Sequence, residues 1–235
     1  MVTGVTIAFF DVDETLVDTK SMFDFLRFHL AVCGDDGSRY DEQAGALRRA
    51  AASGVPRSEI NRAYYRLFTG AGWADLRAAG ERWYADLLTR PEPFLAEGLA
   101  ALRFHQAAGH VVALVSGSFR VCLDPVAAHL GADVVLCTEP LLDAAGRLTG
   151  EVAVPMIGDH KRSAVLDLIA ARGADPAACY GYGDHSSDLA FLAEVGNPTV
   201  IGGDPELTAV AEREGWPVRP ATTCAAPNHV SSQIR

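Results

Sequence analysis

The 235-residue chain has no long apolar run, no excess of positive charge, no closely paired cysteines and no repeat or low-complexity tract. Each absence removes a class of protein. Without an apolar run of bilayer-spanning length, a membrane helix is not expected. The first apolar stretch, Val5 to Phe10, is short, lacks a basic leader and runs straight into Asp11. It therefore reads as a buried strand rather than a signal peptide. A formal net charge of −10 argues against a protein that grips a nucleic-acid backbone. It leaves room for a small phosphorylated ligand, because one metal ion and one lysine can reverse a local field. The five cysteines are odd in number and form no Cys-x-x-Cys pair, so reduced core thiols and a cytoplasmic location are expected. No cysteine or histidine set suited to zinc is present either.

What the chain does have is apolar content, 49% of its residues, enough for one substantial core and an accessory lobe. Four short apolar runs predict buried parallel strands: Val5–Phe10, Val111–Ser116, Val134–Cys137 and Tyr180–Gly183; Thr199–Ile201 adds a fifth. Their lack of polar alternation fits a sheet covered by helices on both faces. Between them lie helical patterns. Phe94, Leu95, Leu99 and Leu102 form one, with Gly109 beyond its end. Val165, Leu166, Ile169 and Ala170 form another, closing at Gly173. Alternation of strand and helix predicts an α/β fold with a doubly wound parallel sheet.

The stretch from 18 to 90 breaks the rhythm with amphipathic patterns alone, such as Met22, Phe25, Leu26, His29 and Leu30. It is expected to be a helical lobe inserted into a core made of residues 1–17 and 91–220, with 221–235 as a polar tail. A second insert, Glu139 to Val154, predicts a hairpin turning at Asp143–Gly146.

Four motifs follow the predicted strands at the same edge, where open α/β sheets bind ligands. Asp11 and Asp13 come first, in Asp11-Val12-Asp13-Glu14-Thr15. In extended geometry they share a face, and such a pair is costly unless a cation joins it or one member is protonated. A hard divalent ion suits those oxygens. Alone, the pair also fits a loop start or a helix cap. Next is Ser116-Gly117-Ser118, whose hydroxyl and glycine would let backbone amides approach a phosphate, though a serine N-cap reads the same way. Lys161 stands just before the 165–170 helical pattern, where a lone lysine is ordinarily solvated. Gly183-Asp184-His185-Ser186-Ser187-Asp188 is last and supplies two more carboxylates.

Taken in order, Asp-x-Asp-x-Thr, a serine, a lysine and Gly-Asp-x-x-x-Asp resemble the haloacid dehalogenase superfamily. The helical insert and hairpin look like its phosphoserine phosphatase-like subfamily. The resemblance implies a Mg²⁺-dependent phosphatase of a small phosphorylated metabolite, with a helical cap over the site. By that resemblance Asp11 is the nucleophile, and Asp13 protonates the leaving oxygen and then activates water. Asp11, Asp13 (through its backbone carbonyl) and Asp184 hold the ion, braced by Asp188. Ser116, Gly117, Ser118, Thr15 and Ser187 belong to the phosphate-binding set, and Lys161 offsets the charge. Relatives that dehalogenate lack the second aspartate, so Asp13 favours phosphoester hydrolysis.

One position departs from the best-known relatives. Where phosphoserine phosphatases carry a glutamate that grips the substrate amine, this chain has Lys20. Lys20 is therefore expected either to line a leaving-group pocket of reversed charge or to face solvent, and His185 to be a rim residue. A phosphotransferase, phosphoserine phosphatase proper and a phosphate-binding module without turnover stay open as alternatives.

Overall fold

The computed structural model describes residues 4–227. In chain order the elements begin with β1 (Ile7–Phe10), α1 (Ser21–Val32), α2 (Ser38–Ala52), α3 (Arg57–Arg66) and α4 (Trp73–Leu87). They continue with β2 (Phe94–Leu95), α5 (Ala96–Ala107), β3 (Val111–Ser116), α6 (Arg120–Leu130) and β4 (Val134–Cys137). Then come β5 (Pro140–Leu142), β6 (Leu148–Val152), α7 (Asp159–Arg172), β7 (Tyr180–Gly183) and α8 (Leu189–Leu192). β8 (Asn197–Ile201), α9 (Pro205–Glu214), β9 (Val218–Arg219) and β10 (Thr223–Cys224) complete the order.

Six strands form a parallel sheet in the order β4-β3-β1-β7-β8-β9, with β1 near its middle. The uninterrupted apolar runs explain its burial. Successive side chains leave a strand on opposite faces, so Ala8, Phe10, Val112 and Leu114 enter one core, with residues of α5 and α6. Ile7, Phe9, Ala113 and Val115 enter the other, with α7, α8 and α9. Phe9 and Phe10 are fully buried, and each contributes about 1.5–3 kcal/mol over an exposed ring. Phe10 also stacks on Tyr182 of the neighbouring strand at 4.4 Å.

The expected doubly wound sheet is thus present, with a helical cap inserted after β1 and a hairpin insert made by β5 and β6. The hairpin is tied to the cap: Gly70 N–H donates to Leu148 O at 2.7 Å, and Leu148 N–H to Ala71 O at 2.9 Å. Strand β1 starts at Ile7, two residues later than the apolar run suggests, and β8 starts earlier, at Asn197. Phe94 and Leu95 are not helical. They pair antiparallel with Thr223 and Cys224, so the expected tail begins with a strand, and α5 starts only at Ala96. Residues 228–235 of that tail lie outside the described residues.

The cap is seated by an aromatic cluster around Phe119, whose ring meets Phe25, Tyr64, Tyr65, Phe68 and Trp73 with centroids 5.4–6.5 Å away. On the same side α4 lies directly on α6. A Cβ at Gly80 would come within 2.0 Å of Val121 O, so only glycine permits that approach. All five cysteines are free, and Cys122, Cys137 and Cys179 are buried. Among the described residues no helix is long and apolar enough to cross a membrane.

Candidate active site

The carboxyl ends of β1, β3 and β7, together with the start of α7, converge on one small cavity of about 100 Å³. Asp11 leaves β1 there, its N–H held by Tyr182 O at 2.9 Å. The following turn is tight: Leu16 and Val17 both donate to Val12 O, and Glu14 adopts φ 58°. That conformation costs a non-glycine residue about 1–3 kcal/mol and is characteristic of a functional loop.

Lys161 sits in the first turn of α7, buried at 3% exposure, between two carboxylates. Its Nζ donates to Asp11 Oδ1 at 2.5 Å and to Asp188 Oδ1 at 2.7 Å. Burial pulls the ammonium toward neutrality, but Asp11 and Asp188 outweigh it and hold Lys161 above the usual lysine range. Asp188 is braced on its other oxygen by the N–H groups of Asp184 and His185, at 3.3 and 3.4 Å.

One oxygen each from Asp11, Asp184 and Asp188 lies within 4.8 Å of the others. Burial, eased by Lys161 and reinforced by Asp188 and Asp13, pushes Asp11 up to about 7. Burial and the two neighbouring carboxylates push Asp184 up to about 9. Among the described residues Lys161 is the cation bonded to this cluster, and it leaves Asp184 unpaired. An all-oxygen donor set short of positive charge fits a hard divalent ion such as Mg²⁺. Asp13 stands apart from that cluster. Its Oδ1 is buried without a partner, and burial, partly offset by Ser21, lifts its carboxyl to about 6.

Ser116, Gly117 and Ser118 form the opposite wall. Ser118 N–H donates to Ser116 Oγ at 3.1 Å. A Cβ at Gly117 would meet Ile157 Cδ1 at 2.5 Å, which explains the glycine by close approach. Ser187 and His185 also line the cavity. Thr15 does not. It is fully buried and its hydroxyl is unpartnered, because the tight turn after Asp13 carries it inward. Lys20 reaches the cavity rim, but its Nζ pairs with Glu14 Oε2 at 2.9 Å while half exposed, so it is both lining and solvated.

Sequence reasoning missed Asn61 and Tyr65, the cap residues that hold the loop after β3. Asn61 Nδ2 and Tyr65 Oη both donate to Gly117 O, at 2.7 and 3.1 Å, and Ser21 Oγ donates to Ser118 Oγ at 2.9 Å. A signal existed for Asn61, an amide on the buried face that it shares with Tyr64, Tyr65 and Phe68. Arg57 was also missed; it lines the cavity from the cap, its Nη1 2.8 Å from His185 Nε2.

The haloacid dehalogenase-like hydrolase profile matches residues 8–193, a span that includes every one of these carboxylates and Lys161. The chain belongs to that family. It is 31% identical over 228 residues to a probable phosphatase of Mycobacterium tuberculosis, covering 91% of this chain and 74% of that one. Among solved structures, it shares its fold with a Bordetella pertussis protein of unknown function at TM-score 0.81 and 24% identity, covering 94% of this chain and all of that one. A phospho-aspartyl intermediate analogue of phosphoserine phosphatase superposes at TM-score 0.68 and 18% identity, covering 94% and 96%. The profile thus makes the chain a haloacid dehalogenase-like hydrolase, and the solved structures show that it shares their fold.

Proposed function

We propose that this hydrolase is a Mg²⁺-dependent phosphatase that removes phosphate from a small metabolite through an aspartyl-phosphate on Asp11. The observation that carries the reading is the pairing of two unlike carboxyls at one cavity. Asp11 is oriented by Lys161 through Oδ1, whereas Asp13 stands off the cluster with a buried, unpartnered oxygen. Two titratable groups in different environments at one site are the mark of a nucleophile and an acid–base partner.

In the first half-reaction a carboxylate oxygen of Asp11 bonds to phosphorus while the ester oxygen departs with a proton from Asp13. In the second, Asp13 takes a proton from water, whose oxygen attacks phosphorus and frees Asp11 and inorganic phosphate. Ser116 and the neighbouring amides hold the non-transferring oxygens, and Lys161 offsets charge on Asp11 and the phosphoryl group. Asp11, Asp184 and Asp188 would hold Mg²⁺, which supplies charge stabilisation for the phosphoryl oxygens. Residues 18–90 serve as the cap and 1–17 with 91–220 as the catalytic core. Phosphoserine phosphatase proper is disfavoured by Lys20, which replaces an amine-gripping glutamate with a cation.

The test is phosphate release by Asp11→Asn and Asp13→Asn proteins whose folding is verified by circular dichroism. Each should lose several orders of magnitude in kcat/KM, of order 10⁴-fold. Near-normal turnover by Asp11→Asn would end the covalent mechanism.

A further inference from the structure

Beyond the small cavity the site continues into a larger one, about 620 Å³, within the cap. Lys20, Met22, Phe23, Arg57 and Ile157 line both, so they form the passage between phosphate seat and cap. Volumes of several hundred cubic ångströms suit ligands much larger than a serine. The inner part of the wall is apolar and aromatic, with Phe23, Tyr64, Ile60 and Leu47.

The charged groups on this wall are unequal. Asp24 is occupied: Trp83 Nε1 donates to it at 2.9 Å and Arg90 at 2.7 Å. Lys20 is occupied by Glu14. Arg57 faces His185 Nε2 at 2.8 Å. Among the described residues Arg27 and Arg48 have no carboxylate partner. Instead both donate to the same phenol oxygen, Tyr40 Oη, at 3.5 and 3.1 Å. Arg27 lies over the Tyr40 ring at 4.6 Å, and Arg48 over Phe23 at 5.5 Å. Two guanidiniums are therefore brought within reach of one oxygen with no anion between them, on a protein of net charge −10. Like charges held together repel unless an anion joins them, and a planar fork is the group suited to carboxylate and phosphate. Their anchoring ring, Tyr40, is buried, so the pair is presented from a fixed base.

Resting on the phosphatase reading above, we infer that the substrate is a phosphomonoester whose leaving group has an apolar body and ends in a second anionic group, a carboxylate or a phosphate, bound by Arg27 and Arg48. The scissile phosphate sits against Ser116 and Asp11, the apolar body passes Met22, Phe23 and Ile157, and the distal anion meets the two guanidiniums. Arg27 and Arg48 are specificity-determining rather than catalytic residues.

The experiment is calorimetric binding to Asp11→Asn protein with Mg²⁺, which reads affinity without turnover. The probes are ω-phosphonooxy carboxylic acids of increasing chain length, their primary amides and the matching α,ω-bisphosphates. At the fitting length an acid or bisphosphate should bind at least about tenfold tighter than the amide. In an added Arg27→Gln/Arg48→Gln background that preference should collapse toward unity. Both side chains are exposed, and the single substitutions serve if the double one does not fold. The inference is overturned if the charged probes bind no better than amides at any length, or if their advantage survives loss of both arginines. A charged-probe preference in a protein whose wild-type form releases no phosphate would instead remove the phosphatase reading and leave this site standing.

Discussion

Replacing Lys161 with methionine tests the charge balance on which the site depends. The side chains are similar in length, so the change removes a buried cation rather than packing. It leaves Asp11 and Asp188, both nearly inaccessible, without their 2.5 and 2.7 Å partner, and Asp184 close by. Breaking a buried ion pair by removing one member costs about 3–5 kcal/mol. For a chain of this size that corresponds to roughly 6–20 °C in melting temperature. The loss should depend on pH, and its sign follows from the carboxyls. Asp11 and Asp184 already titrate in the folded protein at about 7 and about 9, above the unfolded value of 3.8. A raised carboxyl contributes stability that is complete below the unfolded pKa and is lost as pH rises through the folded one. Without Lys161, whose charge lowers both, those folded values move higher still. Melting of metal-free protein in chelator should thus show a gap between wild type and Lys161→Met that changes little below about pH 6 and widens from about pH 7 upward, where the wild-type Asp11 ionises and the variant's does not. Mg²⁺ should narrow it by returning positive charge to the cluster. A variant within about 3 °C of wild type from pH 5 to 8, where roughly 1 kcal/mol is worth 2–4 °C, would refute the reasoning.

The metal reading predicts that chelation removes activity and that Asp184→Ala lowers it by about 10- to 100-fold or more at fixed Mg²⁺; the phosphate-release assay decides, and full activity in metal-free buffer would count against the site. Gly80→Ala should destabilise by about 1–3 kcal/mol in chemical denaturation, because its new methyl meets the Val121 backbone and α4 must lift from α6. Lys20→Gln removes only an exposed ion pair with Glu14, so kcat/KM should fall by no more than about fivefold and the effect should fade in high salt. A larger, salt-independent loss would move Lys20 from the rim into the desolvated pocket.

The parts of this architecture that were readable in the chain are those where one physical demand acts alone. Ile7–Phe10 and Val111–Ser116 had to be buried on both faces, and nothing but a central strand does that in so few residues. Asp11 and Asp184 were legible because each directly follows a strand at one edge of the sheet, whereas Lys161, whose place at a helix start alone reads as solvated, was singled out by the family resemblance. Phe94 and Leu95 were not, since two apolar neighbours satisfy a helical face and a short buried strand equally. What decides for the strand is a partner far along the chain, Thr223 and Cys224. Thr15 shows the reverse. A motif position says which residue follows Asp13, but the turn that packs Thr15 O against Gly98 determines where its hydroxyl points. Pairings such as Lys20 with Glu14 depend on a loop with a left-handed residue, which local pattern does not announce.

The cap does more in this fold than cover the cavity. Gly117 O accepts hydrogen bonds from Asn61 and Tyr65, both on α3. In a trans peptide the carbonyl and the following N–H point in opposite directions. Holding Gly117 O toward the cap therefore turns Ser118 N–H back toward Ser116, whose Oγ accepts it at 3.1 Å. That bond uses an acceptor site of the Ser116 hydroxyl and leaves its proton free to donate. Phe119, the next residue, is locked in the aromatic cluster of the cap. Ser116, at the end of a core strand, is thus oriented by side chains that enter the chain half a hundred residues earlier. Any motion that lifts α3 would have to release Gly117 O and withdraw that alignment, so on the proposed phosphatase reading cap position would be coupled to phosphate binding through a single peptide group.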